Sequence, residues 1–354
     1  MDIGKKVELA KRAPAIELVT EEELRGLFEA KAHPKHYIGF EISGYVHLGT
    51  GLMTALKIRD LMEAGVKPCI FLADYHAWIN GKMGGDLEGI RKIGMGYFKH
   101  AFVALGLPED KVRFVLASEI YDEDYWKMVL DIMRNTTTNR MLRCVTAMGR
   151  KESDALSSAA MIYPAMQAAD IFKLEVDIAH AGMDQRKVHM LAREIAPKLG
   201  EEKPVALHTG LLPGLQSCMR MNPTEDEVIE AKMSKSVPDS AIFVHESEAE
   251  IRRKIGKAVC APKAVEGNPM LQYAEMLVLR DRPLKIERPA KFGGDLEIAD
   301  SAQLRKEFAE GKLHPMDLKN AVAGELCGML KPAREYFEKH PEYLKEMEKM
   351  RVTR

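Results

Sequence analysis

What this sequence lacks narrows the field before any motif is weighed. It has no apolar run that could span a bilayer; the stretch around Cys69–Ala73 is far too short. Its N-terminus opens on Lys5, Lys6, Glu8, Lys11 and Arg12 and has no apolar signal core, so a cytoplasmic chain without a leader or anchor is expected. The five cysteines (Cys69, Cys144, Cys218, Cys260, Cys327) stand singly. None is paired at the spacing of a zinc knuckle or redox dithiol, which points to reduced packing residues and no protein-bound metal. A formal net charge of -1 removes a global basic field but leaves room for a local patch facing phosphate. No internal repeat or low-complexity tract breaks the chain.

What is present suits two domains: 354 residues, 46% hydrophobic and 30% charged, enough to bury a core beneath a solvated surface. The 22 methionines read as core fillers on helices. Thr20-Glu21-Glu22-Glu23 has the form of a capping box that opens a short helix. Tyr37–Glu41, Cys69–Ala73, Val112–Leu116 and Val176–Ala179 read as strands. Helical patterns fall between them, through about Leu61, from about Asp86 to Leu105, over roughly Asp122–Arg150, and from Tyr163 to Phe172. Strands alternating with helices predict an α/β fold, a Rossmann-like doubly wound parallel sheet over residues 1–240, with a helical insertion at about 122–160. After Ser236 the pattern turns mostly helical, opening with a capping box at Ser247 and Glu250 and interrupted at Gly293-Gly294. A smaller helical domain is expected over 241–354.

Two short stretches carry chemistry. His47-Leu48-Gly49-Thr50 lies between a strand and a helix, where free N–H groups and the helix dipole favour phosphates. Gly49 admits a purine or ribose close to the backbone, and His47 can hydrogen-bond developing phosphoryl charge. Lys232-Met233-Ser234-Lys235-Ser236 sets two ammonium groups three positions apart on a loop able to fold over a triphosphate. Either stretch alone is more often a turn or a solvated loop. On a third stretch, Tyr163, Gln167 and Asp170 stand at i, i+4 and i+7 and share one face of a helix otherwise rich in Ala, Met and Ile. A polar face on a buried helix suits a ligand, although Asp170 as a helix-end carboxylate and Tyr37 as an ordinary strand aromatic are equally open from pattern alone.

The ordered pair of stretches resembles the HIGH and KMSKS signatures of class I aminoacyl-tRNA synthetases. KMSKS matches letter for letter; Thr50 departs from the final histidine of HIGH and carries a hydroxyl in place of a charge. Tyr37-Ile38-Gly39-Phe40-Glu41-x-Ser43-Gly44, Leu72-Ala73-Asp74-x-His76-Ala77, Ile162-Tyr163-Pro164-x-Met166-Gln167-x-x-Asp170 and Gly182-Met183-Asp184-Gln185-Arg186-Lys187-x-His189 extend the resemblance to the archaeal and eukaryotic tyrosyl-tRNA synthetases, from about Glu22 to about His340.

That resemblance implies a ligase that activates L-tyrosine with ATP, accompanied by Mg²⁺, and passes it to tRNA(Tyr). It implies catalytic roles for His47, Thr50, Lys232 and Lys235, and tyrosine contacts from Tyr37, Glu41, His76, Tyr163, Gln167, Asp170 and Gln185. Tyr37 and Asp170 would grip the substrate hydroxyl; Tyr163, Gln167 and Gln185 would hold its ammonium. Gly49, Gly182, Asp184, Met233 and Ser234 would contact ATP. Arg143, Arg186 and Lys187 would face the tRNA acceptor end, while Phe292, His314 and Asp317 would read the anticodon. Relatives work as homodimers. Two rival readings remain: another nucleotidyl transferase of the same fold, and a paralogue that binds RNA or a small ligand without catalysis.

Overall fold

The computed structural model describes residues 1–149, 157–217 and 238–350. Its centre is a six-stranded sheet ordered β1-β6-β5-β2-β3-β4. The strands are β1 (Ala15–Val19), β2 (Lys35–Phe40), β3 (Lys67–Leu72), β4 (Arg113–Leu116), β5 (Ile178–Gly182) and β6 (Val205–Thr209). Every pairing is parallel except that of β1, which runs antiparallel to β6 at the edge. In β3, all residues from Pro68 to Leu72 are buried, as expected of a strand with helices on both faces.

Helices α1 (Ile3–Lys11), α2 (Glu21–Ala30), α3 (Leu52–Glu63), α4 (Asp74–Ile79), α5 (Leu87–Ile93), α6 (Lys99–Ala104), α7 (Glu123–Arg134), α8 (Thr138–Cys144), α9 (Tyr163–Lys173) and α10 (Arg186–Leu199) supply the connections. The capping box at Thr20 is complete: its side chain accepts from the Glu23 amide, and the Glu23 carboxylate accepts from the Thr20 amide.

The sequence pattern showed four of the six strands, and β5 lies further along than the run Val176–Ala179 suggested. The stretch Asp122–Arg150 is not one helix. Asn135 ends α7, and Thr137 accepts from the Arg140 amide to start α8. These short polar side chains bond the backbone locally and so punctuate a helix. The pattern between Asp86 and Leu105 is likewise divided, at a wider turn over Gly94–Phe98.

Beyond residue 238 the described chain is mostly helical, with segments Glu248–Lys257, Ser301–Ala309, Pro315–Lys339 and Pro341–Glu348. Ser247 caps the first of these through the Glu250 amide. The Gly-Gly interruption lies within a two-stranded hairpin, β7 (Leu284–Ile286) against β8 (Leu296–Ile298). Gly293 and Gly294 both take positive φ there, which glycine adopts without steric cost. Leu318, Val322 and Leu330 of the long helix join Ile38, Ile70 and Phe98 of the sheet layer in one apolar cluster.

Candidate active site

The sheet winds in opposite directions from the seam between β2 and β5: β3 and β4 lie on one side, β6 and β1 on the other. Loops at the carboxyl ends of two such neighbours diverge and leave a crevice, the usual ligand position in this architecture. Glu41 follows the end of β2, and Gly182 ends β5, with Asp184 and Gln185 in the turn before α10.

The turn His47–Thr50 follows β2 and leads into α3. The His47 ring folds back, so that its Nδ1 accepts from the amides of Gly49 at 3.1 Å and Thr50 at 3.4 Å. An acceptor Nδ1 is unprotonated, which puts the ring proton of neutral His47 on Nε2. The Thr50 hydroxyl lies 3.3 Å from the His47 amide and 3.4 Å from its carbonyl, closing the turn. A Cβ at Gly49 would lie 3.2 Å from the His47 ring, and one at Gly51 would lie 2.6 Å from Val46. The glycines therefore let the turn close. Lys232, Met233, Ser234 and Lys235 lie outside the described residues. The chain returns beside the turn soon after them: Leu48 donates to the Ile242 carbonyl at 2.9 Å, and Val244 to that of Val46 at 3.0 Å.

The face of α9 predicted from spacing is buried, with Tyr163, Gln167 and Asp170 all inside. Asp170 is only 1% exposed. Its Oδ1 accepts from Tyr121 at 2.9 Å and from Tyr125 at 3.0 Å, while Oδ2 lies 3.8 Å from His76 Nε2. Burial drives the Asp170 carboxyl well above its usual range; the two phenol donors oppose this and the Asp74 charge reinforces it. His76 is equally buried, and desolvation lowers its pKa to about 3, so it is neutral and supplies no cation.

Tyr37 is 2% exposed and lies near enough for the Asp170 charge to add to burial in raising its phenol pKa. Among the described residues the Tyr37 hydroxyl has no hydrogen-bond partner. A Cβ at Gly39 would lie 2.6 Å from that hydroxyl, so the glycine lets the Tyr37 ring lean toward the carboxyl end of β2. Tyr163 donates to Glu41 at 2.8 Å and stands edge-on to His76, with ring centroids 4.5 Å apart. Asn80 also donates to Glu41, at 2.9 Å. Gln167 Nε2 donates to Gln185 at 3.0 Å, whose own amide donates to the Ala147 carbonyl. Among the described residues the buried Gln167 Oε1 has no partner.

Thus Tyr37, Glu41, His76, Tyr163, Gln167, Asp170 and Gln185 are brought together from β2, α4, α9 and the turn before α10. Tyr121, Tyr125 and Asn80 belong to the same cluster and were not singled out from sequence. Their one signal was weak: two tyrosines four positions apart, flanking the helix-capping Asp122.

The remaining candidates lie apart from this cluster. Arg186 and Lys187 open α10, where Arg186 Nε donates to Glu17 at 2.8 Å. Arg143 is exposed on α8. Phe292 is 60% exposed beside the hairpin, with Lys291 4.9 Å above its ring. His314 caps the helix Pro315–Lys339, accepting from the Met316 amide at 3.2 Å, and Asp317 is in the first turn. Among the described residues no group of three His, Cys, Asp or Glu is arranged to hold a metal, and no helix is long and apolar enough to cross a membrane.

A crevice at the switch point, a glycine turn feeding a helix and a buried cluster of polar side chains beside them are the arrangement of a nucleotide-binding enzyme of the doubly wound class. The family model described as tRNA synthetases class I (W and Y) matches residues 29–331, and the chain belongs to that family. The chain is 54% identical, over the full length of both, to the tyrosine–tRNA ligases of Thermococcus gammatolerans and Thermococcus kodakarensis. A solved structure of tyrosyl-tRNA synthetase complexed with L-tyrosine, from Pyrococcus horikoshii, superimposes with a TM-score of 0.92 at 49% identity, covering 98% of this chain and 100% of that one.

Proposed function

We propose that this chain is a tyrosine–tRNA ligase that activates L-tyrosine with ATP and transfers it to tRNA(Tyr). The observation that carries the choice of amino acid is Asp170, a buried carboxylate with one oxygen lacking a donor and the unpartnered Tyr37 phenol nearby. A substrate phenol would donate to Asp170 and accept from Tyr37. Phenylalanine would leave both unpaired in a dry pocket, at a cost of about 1–3 kcal/mol for each group. At the other end of the slot, Glu41, Tyr163, Gln167 and Gln185 present acceptors suited to the substrate ammonium, and Gln167 Oε1 is buried without a partner.

In the first step a tyrosine carboxylate oxygen attacks the α-phosphorus of ATP in line, and the bond to pyrophosphate breaks. No covalent enzyme intermediate is needed; positioning and charge stabilisation suffice. ATP brings Mg²⁺ with it. The α3 N-terminus and Nε2–H of His47 face the charge that develops on phosphate, and Gly49 leaves room for the nucleotide. Thr50 acts through the turn, by holding the His47 backbone. Lys232 and Lys235 neutralise the departing pyrophosphate, with Met233 and Ser234 beside them. Gly182 and Asp184 contact the adenosine, Asp184 through the ribose. In the second step a terminal ribose hydroxyl of the tRNA attacks the tyrosyl carbonyl and displaces AMP.

Arg143, Arg186 and Lys187 meet the acceptor end in this reading, and residues 241–354 read the anticodon. Phe292 is exposed for stacking on an unpaired base, and Asp317 is placed in a helix first turn to accept from a base edge. The same reading carries a cytoplasmic homodimer. Exchange of pyrophosphate into ATP, assayed with each amino acid in turn, tests the assignment. Exchange driven by tyrosine with a far higher kcat/KM than by phenylalanine or tryptophan is expected; exchange indifferent to tyrosine would remove it.

A further inference from the structure

Asp170 sits where a carboxylate is costly, because it is buried and among the described residues no lysine, arginine or charged histidine compensates it. Its donors are two phenols. Tyr121 and Tyr125 stack face to face, with ring centroids 3.8 Å apart and planes inclined by 12°, and both hydroxyls converge on Oδ1. An oxygen that already accepts from two donors has little left for a third. Among the described residues neither phenol bonds Oδ2, and the His76 ring nitrogen at 3.8 Å is too distant for a hydrogen bond.

We propose that Tyr121 and Tyr125 are specificity-determining positioning residues: they occupy one oxygen of Asp170, fix the plane of its carboxylate, and leave the other oxygen as the single acceptor for the substrate phenol. This rests on the reading of Asp170 as that acceptor. The paired rings are stiff, so the carboxylate cannot rotate to offer Oδ1 instead. Their two O–H dipoles also favour its charged form before substrate arrives, against the burial that opposes it. Of the two, Tyr121 gives the cleaner test. The Tyr125 hydroxyl is also 3.1 Å from the Met166 carbonyl, so its one proton is shared between two acceptors. Among the described residues the Tyr121 oxygen meets side chains alone: Asp170, His76 Nδ1 at 3.3 Å and the neighbouring Tyr125 hydroxyl.

Tyr121→Phe keeps the stacked ring and deletes one donor. In the pyrophosphate exchange assay its KM for tyrosine should rise about tenfold, the scale of one hydrogen bond to a charged group. Its kcat should stay within about twofold and its KM for ATP should not change. Exchange driven by phenylalanine, which cannot engage Oδ2, should keep its kcat/KM, so the tyrosine-to-phenylalanine ratio falls about tenfold. Tyr125→Phe should lower the same ratio by a smaller factor, and it provides the reading if Tyr121→Phe does not fold. An equal loss with both amino acids would mean that the hydroxyls merely support the fold, and an unchanged ratio would overturn the proposal outright. Asp170→Ala, measured alongside, separates the two levels. If it abolishes tyrosine preference while the phenol variants leave it intact, only the positioning role fails. If Asp170→Ala also leaves tyrosine KM unaltered, the assignment of Asp170 itself fails.

Discussion

Two carboxylates, Asp60 and Asp170, are buried to nearly the same degree, at 4% and 1% exposure, and live in opposite surroundings. Asp60, on the helix that follows the glycine turn, is ringed by cations. Arg12 lies 3.2 Å from one oxygen, Lys57 lies 3.0 Å from the other, and Arg280 reaches in from the C-terminal part of the chain. The remaining polar atoms there are satisfied as well: Lys57 donates to the carbonyls of Leu9, Ala10 and Arg12, and Arg280 to that of Ala13. Asp170 has only phenols and a neutral imidazole. A buried charge enclosed by opposite charges ties chain segments together; one left to neutral donors is the setting in which the proposed acceptor role of Asp170 can be tested.

The contrast breaks most visibly at Asp60. Asp60→Ala strands a fully buried ammonium and a guanidinium that is 2% exposed. Burial already lowers the Lys57 pKa to about 8, with Asp60 pulling the other way, so removing Asp60 takes away its main compensation. The expected loss is about 3–5 kcal/mol of unfolding free energy, the usual result of removing one partner of a buried ion pair. Guanidinium unfolding would measure it. Tyrosine KM, measured on protein that remains folded, should hardly move, because Asp60 is not among the pocket residues.

Asp170→Asn should do the reverse: it should cost tyrosine preference and add stability. The native Asp170 pKa is raised above the unfolded 3.8. Between pH 3.8 and the native value the empty folded protein therefore binds a proton there more tightly than the unfolded chain, and above the native value the carboxylate is charged. Its contribution is therefore complete below about pH 3.8 and is lost as pH rises through the native value. Asparagine has no such loss. The melting temperature of the variant relative to the parent should climb as pH rises above about 4 and level off above the native pKa of Asp170, reaching an advantage of about 2–4 °C without ligand. Added tyrosine should raise the melting temperature of the parent alone. A difference that stays flat with pH would show that Asp170 is already compensated.

How much of this contrast could be read from sequence depends on whether the contacts are local. Tyr163, Gln167 and Asp170 lie within one helical stretch, and their spacing alone put them on one face. Tyr121 and Tyr125 act on Asp170 across 49 and 45 positions, and nothing in a helical period encodes that meeting. The Asp60 cluster was missed for the same reason, since Arg280 joins it across 220 positions. Among strands, β2, β3 and β4 showed as apolar runs. Val205-Ala206-Leu207-His208-Thr209 is buried throughout but ends on two polar residues, one of them held by Glu17 of β1, so its burial did not show as hydrophobicity. The edge strand β1 is only partly covered and gave no apolar run. The glycine turn was legible as a turn between a strand and a helix. That Thr50 bonds back onto His47 was not, because a hydroxyl in a turn can face inward or outward with the same sequence.

A third carboxylate sharpens the rule. Asp74 is wholly buried, and it accepts from Arg91 at 2.9 Å and from the amides of Tyr75 and Ser118 at 3.0 and 3.1 Å. Its charge also helps to hold the Asp170 pKa up, so the compensated and uncompensated sites are electrostatically linked. Among the described residues Arg91 is the cation paired with Asp74, and its side chain is 27% exposed, so water screens much of its effect. Arg91→Ala should cost only about 1 kcal/mol of stability, since two amide donors remain on Asp74. Its more telling consequence is remote. With Asp74 less neutralised, Asp170 should become harder to ionise, and tyrosine KM should rise about twofold while the KM for ATP stays put. That rise should shrink as pH increases, because deprotonation of Asp170 then becomes favourable in both proteins. An increase in KM that did not depend on pH would mean that Arg91 acts through packing on Tyr75, 5.6 Å from its guanidinium, and not through the ionisation of Asp170.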